Sequence, residues 1–480
     1  MTYDVAIGLE VHVQLKTRSK LFCGCSTEFG SPPNSQVCPV CLGYPGVMPV
    51  LNEEAIRLTV LTGLMAGCRI REYSTFDRKS YFYPDMPKNY QISQYDKPLC
   101  EGGAVQTEAE GRPKTVRLTR IHLEEDVGKN MHFHNSSGVD FNRAGVPLME
   151  IVTMPDLTSP EEAFAFLLTL RQMVRYVGAS ECNLEQGNMR CDVNVSIRPA
   201  GQEALGTKAE LKNLNTFKGI LGALKYEISR QIDVVESGGR VQQETRRWDP
   251  DAGVTASMRS KEEAHDYRYF PEPDLMPVAL SREQVEDWRR RLPELPRVRR
   301  ARLVKEYGIP DYDSGVLVAD KAVADFFESA ARLSANPKTV SNWIMTEMLR
   351  LLSEKGMEPA SAAITPQALA DLIRMVEGGA INSTTAKEIF DLLFEKGGDP
   401  NAIAAERGLA QVSDAGALER LVDRAIVENA RSVEDYRRGK KAAAQFLVGQ
   451  VMRMSQGKAN PQVVRGILDR RLEGDKSGAT

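Results

Sequence analysis

Residues 5–15 read Val5-Ala6-Ile7-Gly8-Leu9-Glu10-Val11-His12-Val13-Gln14-Leu15, in which every second residue is a large apolar one. Successive side chains of a β-strand point to opposite faces, so this stretch predicts a strand with one apolar and one polar face. Glu10, His12 and Gln14 share the polar face. The apolar face must be covered, and we therefore expect a mixed sheet with packed helices.

The same alternation recurs in three further segments, 116–124, 189–197 and 207–213. Each segment also places a carboxylate on its polar face, although Lys, Ser or Thr would keep that face equally wet. Carboxylates on one face of four strands favour a platform for phosphate bound through a metal ion. The polar-face residues of the three segments are His122 and Glu124, then Arg190, Asp192 and Asn194, then Lys208, Glu210 and Lys212.

Helices are expected between these strands. Ser159-Pro160-Glu161-Glu162 is a capping box with proline at the first helical position, and it predicts a helix over 163–177 that stops at Gly178. A second helix is predicted over 217–235. Strands with intervening helices, but without a repeating strand–helix–strand order, indicate the α+β class.

Beyond Pro296 the pattern becomes helical. Apolar residues recur at helical spacing over 369–376 and 389–393, and glycines near 378 and 397 break the pattern. The sequence thus predicts three domains. They are a mixed-sheet domain with a zinc-binding insertion over 1–293, an all-helical domain over 294–408 and a helical tail domain over 409–480.

Composition excludes several classes of protein. The 480 residues include 62 Lys or Arg, 65 Asp or Glu and 42% hydrophobic residues, as in ordinary globular proteins. No run of about 18 apolar residues is present, which argues against a membrane span. The N-terminal segment Met1-Thr2-Tyr3-Asp4 has neither a basic nor an apolar region, so no secretory signal is expected. We therefore expect a cytoplasmic protein.

Positive charge is concentrated in two places. Residues 431–480 hold eleven Lys or Arg against five Asp or Glu, a net charge of +6, which leaves −9 for residues 1–430. Residues 289–305 hold eight basic residues against a single acidic one. Such runs are either solvated helix faces or binding sites for a polyanion such as a nucleic acid. The sequence leaves both alternatives open.

Four of the eight cysteines have metal-ligand spacing. Cys23, Cys25, Cys38 and Cys41 form a Cys-x-Cys pair and a Cys-x-x-Cys pair separated by twelve residues. Two such pairs complete a tetrahedral zinc site without an open position, which predicts a structural zinc ribbon. Eight cysteines are too few for a disulfide scaffold in a chain of this length. Cys68, Cys100, Cys182 and Cys191 lack ligand spacing and are expected in the core.

The segment from Lys79 to Tyr90 has no strand or helix period, because aromatic residues, lysines, prolines and an aspartate are interleaved in it. Its two prolines predict a stiff extended loop. The segment is either an aromatic surface loop or part of a functional site. Phosphate-loop, dinucleotide-binding and nucleophile-elbow motifs are absent from the sequence, so any nucleotide must bind in an unusual site.

Several motifs together resemble a known family, the B subunits of tRNA-dependent aspartyl/glutamyl amidotransferases. The segment 77–85 is specific to that family, and the resemblance covers essentially the whole chain in order. The motifs lie at Ile7–Leu15, Asp77–Asp85, Leu123–Asp126, Asn142–Glu150, Gly187–Asn194, Glu210–Asn215, Arg268–Leu275, Gly439–Lys441 and Gly457–Pro461.

The resemblance implies a cradle-like catalytic domain, a helical domain and a tail domain that contacts tRNA. It also implies a reaction in which ATP phosphorylates the side-chain carboxylate of Glu-tRNA(Gln) or Asp-tRNA(Asn), and ammonia then displaces the phosphate. The ammonia would come from a partner glutaminase, the A subunit, held together with a small C subunit in a heterotrimer. Magnesium and ATP are the implied cofactors, beside the structural zinc.

Residue roles follow from the resemblance. Glu124 and Glu125 are adjacent, so on a regular strand they face opposite sides; either a bulge intervenes or only one is a ligand. Lys79 and Lys88 are expected to contact phosphate or to carry ammonia. The magnesium candidates are Glu10, His12, Glu124, Glu125 and Glu210; the catalytic candidates are Glu10, His12, Lys79, Lys88 and Glu125; the ATP or substrate candidates are Tyr81, Tyr83, Asp85, Arg190, Asp192 and Lys212; the tRNA candidates are Lys440, Lys441 and Lys458.

Two other functions are consistent with part of the pattern. One is a non-catalytic tRNA-binding scaffold that contains zinc, and the other is a metal-dependent phosphodiesterase acting on RNA. Carboxylates on four strands disfavour the scaffold, and the aromatic and lysine residues of 79–90 disfavour a two-metal nuclease. Only the amidotransferase requires ATP hydrolysis that depends on aminoacylated tRNA.

Overall fold

The chain divides into two compact units, Met1–Pro296 and Arg297–Thr480. The structure, a computed structural model, describes residues 2–184, 186–258, 267–409, 415–438, 440, 442–455 and 459–474. Within the described residues, all strands lie in the first unit, and the second unit is helical.

Strands occur at all four predicted segments. Their observed bounds are Tyr3–Gln14, Arg112–Glu125, Met189–Pro199 and Ala209–Lys212, named below as β1, β8, β12 and β13. The complete set is β1 (Tyr3–Gln14), β2 (Arg69–Ile70), β3 (Tyr73–Ser74), β4 (Asp77–Ser80), β5 (Tyr90–Ser93), β6 (Cys100–Glu101), β7 (Ala104–Ala109), β8 (Arg112–Glu125), β9 (Lys129–His132), β10 (Ser137–Asp140), β11 (Pro147–Thr153), β12 (Met189–Pro199), β13 (Ala209–Lys212), β14 (Glu244–Asp249), β15 (Val254–Ser257), β16 (Phe270–Pro271) and β17 (Val278–Ala279).

Ten strands form one mixed sheet in the order β15-β14-β13-β12-β1-β11-β8-β6-β2, with β7 also paired to β8. The strand β1 lies inside this sheet, antiparallel to both β11 and β12. The strands β13 and β14 run parallel, whereas the other pairs of the sheet are antiparallel. The prediction of an α+β chain with a mixed sheet is confirmed.

Four helices of the first unit are α1 (Glu53–Met65), α2 (Pro160–Tyr176), α3 (Phe217–Glu236) and α4 (Arg282–Arg290). The apolar residues of β1, such as Leu9 and Val11, belong to one core with α1, α2 and α3. As the capping box predicts, the side chain of Ser159 accepts a hydrogen bond from the amide of Glu162 at the start of α2. Because the helices cover the apolar face of β1, its polar face is left for the side chains of Glu10 and His12.

Residues 81–89 form the loop of a hairpin, which confirms the predicted loop, but the loop contains turns and is not extended. Strand β4 contains Lys79 and pairs antiparallel with β5, which begins at Tyr90. The loop between them turns through the bond from the amide of Met86 to the carbonyl of Tyr83, at 3.0 Å. Pro84 falls in this turn and Pro87 in the next one, in which the amide of Asn89 donates to the carbonyl of Met86 at 3.1 Å; both lie outside the ladder, where a missing amide hydrogen is tolerated.

The second unit contains two separate hydrophobic clusters, one within 303–404 and one within 418–472. The predicted domain boundary at 408/409 falls between them and stays a prediction. None of the helices in the described residues has the length and hydropathy of a membrane span. The helices are α5 (Pro296–Tyr307), α6 (Asp311–Leu317), α7 (Lys321–Leu333), α8 (Pro337–Trp343), α9 (Leu349–Lys355), α10 (Pro366–Glu377), α11 (Ser383–Lys396), α12 (Pro400–Glu406), α13 (Ala415–Glu428), α14 (Ala430–Arg437), α15 (Ala442–Met454) and α16 (Pro461–Gly474), with a π-helical turn at Ile344–Met348 and a 3-10 turn at Pro359–Ser361.

Most arginines of the basic run 289–305 are engaged in ion pairs. Arg299, which is 7% exposed, bonds Asp325 at 2.7 Å and Glu328 at 2.8 Å on α7. Arg302 shares Glu328 at 2.8 Å. The pairs on α4 join residues three or four apart, as in Arg289 with Glu286. Because their charges are neutralised locally, these arginines favour the solvated-face reading over a polyanion site.

A buried charge network fixes α3 to the sheet. Glu227 on α3 is fully buried and accepts hydrogen bonds from Thr255 at 2.8 Å and Gln231 at 2.9 Å. The guanidinium of Arg246, on β14, lies 3.2 Å from the same carboxylate. Removal of one partner from a buried ion pair leaves the other charge uncompensated.

We predict that Glu227→Ala lowers the free energy of unfolding of the first unit by about 3 kcal/mol, because Arg246 and Arg230 both lose a fully buried partner and keep only the less buried Glu244. The matched control is Glu161→Ala on α2, which removes an exposed ion pair with Lys225 and should cost less than about 1 kcal/mol. Urea unfolding, followed by tryptophan fluorescence in a Trp343→Phe background, measures both. Equal losses in the two variants would contradict the network's role.

Candidate active site

The polar face of β1 borders a cluster of two histidines and two carboxylates. The Nε2 atom of His12 lies 3.6 Å from Oε2 of Glu150 on β11 and 3.7 Å from Oε1 of Glu124 on β8. The Nε2 atom of His122, also on β8, lies 3.2 Å from the same oxygen of Glu150. The strand register explains why these side chains lie close together, because Glu150 lies opposite both His12 and His122. We call these four residues the acid–histidine cluster.

Three members of the cluster fit a metal ion. His12, Glu124 and Glu150 offer ligand atoms that all lie within 4.8 Å of one another. Ligands about 2.1 Å from one octahedral ion are about 3 to 4.2 Å apart, and the distances from His12 to the two carboxylates fall in that range. Magnesium also prefers oxygen ligands and retains waters, for which three protein ligands leave positions. The residues present therefore suit a magnesium ion.

Charges within the cluster keep both carboxylates ionised. Burial opposes ionisation of Glu150, but the charge of His122 and a hydrogen bond from His12 hold its pKa well below the usual range. Burial also opposes ionisation of Glu124, but a hydrogen bond from His122 and the charges of Lys79 and His12 together lower its pKa. Burial acts to lower the pKa of His122, yet the charge of Glu150 raises it to about 9. Burial also acts against protonation of His12, but the hydrogen bond and charge of Glu150, with the charge of Glu124, raise its pKa. At neutral pH the two carboxylates are thus anionic and are balanced by the histidines beside them.

A row of charged residues extends from the cluster over β12 and β13. Asp192 lies opposite Glu10, and Lys212 bonds Asp192 and Glu210 at 3.1 Å each. Burial, and then the charge of Glu150, raise the pKa of Glu10. Of the predicted magnesium ligands, Glu10 borders the cluster, whereas Glu210 is two strands away from β1 and paired with Lys212.

Arg190 is a fixed cation beside the cluster. It lies opposite His12, and its Nη2 atom donates to Oδ2 of Asp126 at 2.7 Å. Gln14 donates to the same oxygen at 2.8 Å, and Nε of Arg143 lies 3.7 Å from it. Burial acts against ionisation of Asp126, but the charge of Arg190 lowers its pKa. With a third of its side chain exposed, Arg190 still presents charge to the open face.

Lys79 brings a second cation to the cluster from β4. Its Nζ atom lies 4.7 Å from the centre of the Tyr267 ring. Burial acts to lower the pKa of Lys79, but the charges of Glu124, Tyr269, Tyr267 and Glu150 together raise it. The side chain is therefore an ammonium group at neutral pH.

The loop after Lys79 exposes aromatic side chains. Phe82 is 76% exposed, and the rings of Tyr81 and Tyr83 lie 5.9 Å apart. Asp85 lies in the Tyr83–Met86 turn of this loop, and burial raises the pKa of its carboxyl group. Among the described residues, its buried Oδ1 atom has no hydrogen-bond partner.

Glu125 lies outside the acid–histidine cluster. The pairing of β8 with β11 is regular at Glu124 and Glu125, so the two side chains point to opposite faces and no bulge intervenes there. Glu125 forms an ion pair with Lys88 and accepts a hydrogen bond from the amide of Ile92 at 2.9 Å. Glu125 and Lys88 line a small cavity of about 30 Å³, which also borders Cys41.

The four spaced cysteines come together as a second candidate metal site. The sulfur atoms of Cys23, Cys25, Cys38 and Cys41 lie within 4.8 Å of one another, and thiolates on a tetrahedral zinc are about 3.8 Å apart. A hydrogen bond from Cys23 lowers the pKa of Cys41 to about 4, so one thiolate is already formed. These residues therefore fit a structural metal ion. The other four cysteines are buried separately, as predicted.

Known proteins match the chain over nearly its whole length. The profile of the GatB/GatE catalytic domain matches residues 5–286, and that of the GatB domain matches residues 325–472. The B subunit of the aspartyl/glutamyl-tRNA(Asn/Gln) amidotransferase from Caldicellulosiruptor saccharolyticus is 51% identical over 98% of this chain and 100% of its own. A relative of the same name from Caldanaerobacter subterraneus is 52% identical, with the same coverage.

The chain belongs to the GatB family. The resemblance drawn from the sequence motifs is thereby confirmed, and the chain carries the catalytic domain of an amidotransferase family. The acid–histidine cluster, the row of charges on β12 and β13, and the four cysteines all lie within the matched residues 5–286 of the GatB catalytic domain.

Sequence reasoning missed two residues of this GatB site and gave His122 no role. Glu150 is a single charge in the apolar run 146–152, and such an interruption is a usable signal. Asp126 directly follows the Glu124-Glu125 pair, where it reads as one more surface acid. Their cross-strand partners could not be read from the sequence, because register depends on pairing between distant segments.

Of the three lysines predicted to bind tRNA in the tail, the structure describes one. Lys440 is exposed and pairs with Asp435 at 3.1 Å. Lys441 and Lys458 lie outside the described residues, so their part in tRNA binding stays a prediction.

We predict that the purified chain contains about one zinc ion and that Cys38→Ser loses it, because three thiolates leave the tetrahedral site open. Elemental analysis and thiol titration measure the change. Cys100→Ala is the matched control, since that cysteine is buried outside the group, and it should retain full zinc content. Zinc-free wild-type protein with four titratable thiols would contradict the prediction.

Proposed function

We propose that this chain phosphorylates the side-chain carboxylate of Glu-tRNA(Gln), Asp-tRNA(Asn) or both with ATP, and that ammonia then displaces the phosphate to form the amide. Support comes from the names of the relatives and from one observation above all. Two ionised carboxylates and His12 meet on an open polar sheet face, with the cations of Lys79 and Arg190 beside them.

The chemistry requires such a site. A carboxylate is a poor electrophile, and phosphorylation converts one of its oxygens into a leaving group. The transfer gathers negative charge from ATP and from the carboxylate, which fixed cations must neutralise. His12, Glu124 and Glu150 would hold magnesium, which supplies that neutralisation at the phosphates.

Lys79 would act on phosphate. Its raised pKa keeps it protonated, and an ammonium group can neutralise a phosphoryl oxygen but cannot accept a proton. Arg190 is held by Asp126 with part of its guanidinium exposed, and it would bind the same charge. Lys212 and Asp192 would extend this surface along the sheet, with Glu10 between them and the cluster.

The aromatic loop would receive ATP or the aminoacyl end of the tRNA. Tyr81 and Tyr83 present adjacent rings, which suit stacking against a base. Asp85 has a buried oxygen without a partner among the described residues, as expected of a group that a ligand completes.

Lys88 and Glu125 would act in ammonia transfer. They lie on the face opposite the acid–histidine cluster and line the same small cavity of about 30 Å³. Ammonia must remain unprotonated to act as a nucleophile, and a path enclosed by protein would keep it from protonation in bulk water. Its source would be a glutaminase A subunit, assembled with a small C subunit.

The tail would bind tRNA. Residues 431–480 carry a net charge of +6, and phosphate contacts by lysine give affinity without base reading. Lys440 is the candidate among the described residues, and Lys441 and Lys458 are its companions in the sequence.

We predict that Glu124→Gln lowers ATP-dependent amidation about 100-fold or more, because the cluster loses one anionic ligand. Partner-driven glutamine hydrolysis should persist. The rate of Gln-tRNA formation in the assembled complex measures the first, and glutamate release measures the second. Glu108→Gln, on an exposed position of β7, is the matched control and should keep the wild-type rate. A wild-type rate in Glu124→Gln would instead favour the non-catalytic scaffold.

We predict a different outcome for Glu125→Gln. If Glu125 serves ammonia transfer, the variant loses glutamine-dependent amidation but keeps amidation supported by ammonium chloride, because the phosphorylation site is intact. Measurement of both rates in one preparation gives the ratio directly. An equal loss with both nitrogen donors would place Glu125 in the phosphorylation step and contradict its assignment to ammonia transfer.

A further inference from the structure

His122 is the least exposed member of the acid–histidine cluster, and the function proposed above does not use it. Its side chain is 2% exposed, and it lies on β8 directly opposite Glu150 on β11. It contacts Glu124 and Glu150, and it is not among the three residues whose ligand atoms lie within 4.8 Å of one another. Its influence must therefore pass through the residues that it touches.

His122 contacts both carboxylates of the cluster. Its Nε2 atom lies 3.2 Å from Oε2 of Glu150 and 3.7 Å from Oε2 of Glu124. The two oxygens of Glu124 therefore have different neighbours. Oε2 lies toward His122 and accepts a hydrogen bond from the hydroxyl of Ser93 at 3.0 Å. Oε1 lies toward His12. The donors behind Glu124 decide which oxygen it presents to the open face.

Two neighbouring carboxylates repel each other, and each can rotate about its terminal bond. A donor placed between them opposes both effects, because it attracts one oxygen of each. Among the described residues, Nδ1 of His122 has no hydrogen-bond partner, so the ring contributes its polar contacts through Nε2 alone. The geometry is that of an outer partner that orients metal ligands.

We infer that His122 is a positioning residue, which holds Glu124 and Glu150 in the orientation that binds the cation, and that it is not itself a ligand. This inference rests on the proposed function, because it assumes a cation held by His12, Glu124 and Glu150. The set of ligand atoms that lie within 4.8 Å of one another comprises these three residues. His122 completes the site from behind the carboxylates.

A pair of substitutions separates positioning from folding. The amide nitrogen of Gln reaches about as far as Nε2 of histidine, so His122→Gln keeps a donor near both carboxylates. The shorter side chain of His122→Asn does not reach them. The two variants bury similar amide groups, so the difference between them reports the donor's position rather than the loss of the imidazole ring.

The test uses Mn²⁺ as the probe, with the zinc-loaded full chain, and electron paramagnetic resonance counts free and bound ion. We expect the Mn²⁺ dissociation constant to rise about 10- to 100-fold in His122→Asn and only a few-fold in His122→Gln. Equal affinity in wild type and His122→Asn would overturn the inference alone. Failure of the wild-type chain to bind Mn²⁺ would overturn the proposed function together with it.

Pulsed spectra of the bound Mn²⁺ decide whether His122 is a ligand. A coordinated imidazole gives a ¹⁴N coupling, which we expect to persist in His122→Gln and to disappear in His12→Ala. Loss of the coupling in His122→Gln, with retention in His12→Ala, would make His122 the ligand and overturn its positioning role. Because these readouts do not depend on turnover, they apply even if a variant is inactive.

Discussion

The pairing of β1 with β11 on one side and β12 on the other is the constraint on which the site depends. It sets Glu150 and Arg190 opposite His12, and Asp192 opposite Glu10. A slip of one residue in either pairing would turn these side chains to the apolar face. Packing of the apolar side chains of β1 against the helices therefore fixes the strand register. The register in turn brings the charged side chains of the site together.

Such a concentration of charge is costly to bury, and the structure offsets it with interleaved opposite charges. Glu124 and Glu150 lie between two histidines, Asp126 is held by Arg190, and Lys212 bridges two carboxylates. These contacts hold the groups ionised in fixed positions. A site of this kind is prepared to bind a cation and phosphates without large rearrangement, which is the condition for electrostatic catalysis.

Local patterns predicted four of the strands, the helices α2 and α3, and the grouping of the cysteines, because each depends on residues close in sequence. Alternation also placed Glu10, His12 and Glu124 on one polar face correctly. It could not find Glu150 as the partner of His12, since that contact is set by pairing between segments more than a hundred residues apart. For the same reason the sequence left open whether the basic run near Arg299 is a polyanion site or a solvated face, since its acidic partners on α7 are distant in sequence.

The central claim is that the side-chain carboxylate is activated by phosphorylation, and isotope transfer tests it most directly. Glu-tRNA(Gln) carrying ¹⁸O in both side-chain carboxylate oxygens is amidated by the assembled complex with ATP, and the phosphate released is analysed by mass spectrometry. The account predicts one ¹⁸O in each phosphate formed and one retained in the glutamine amide. Phosphate without ¹⁸O, or the label in AMP instead, would contradict it.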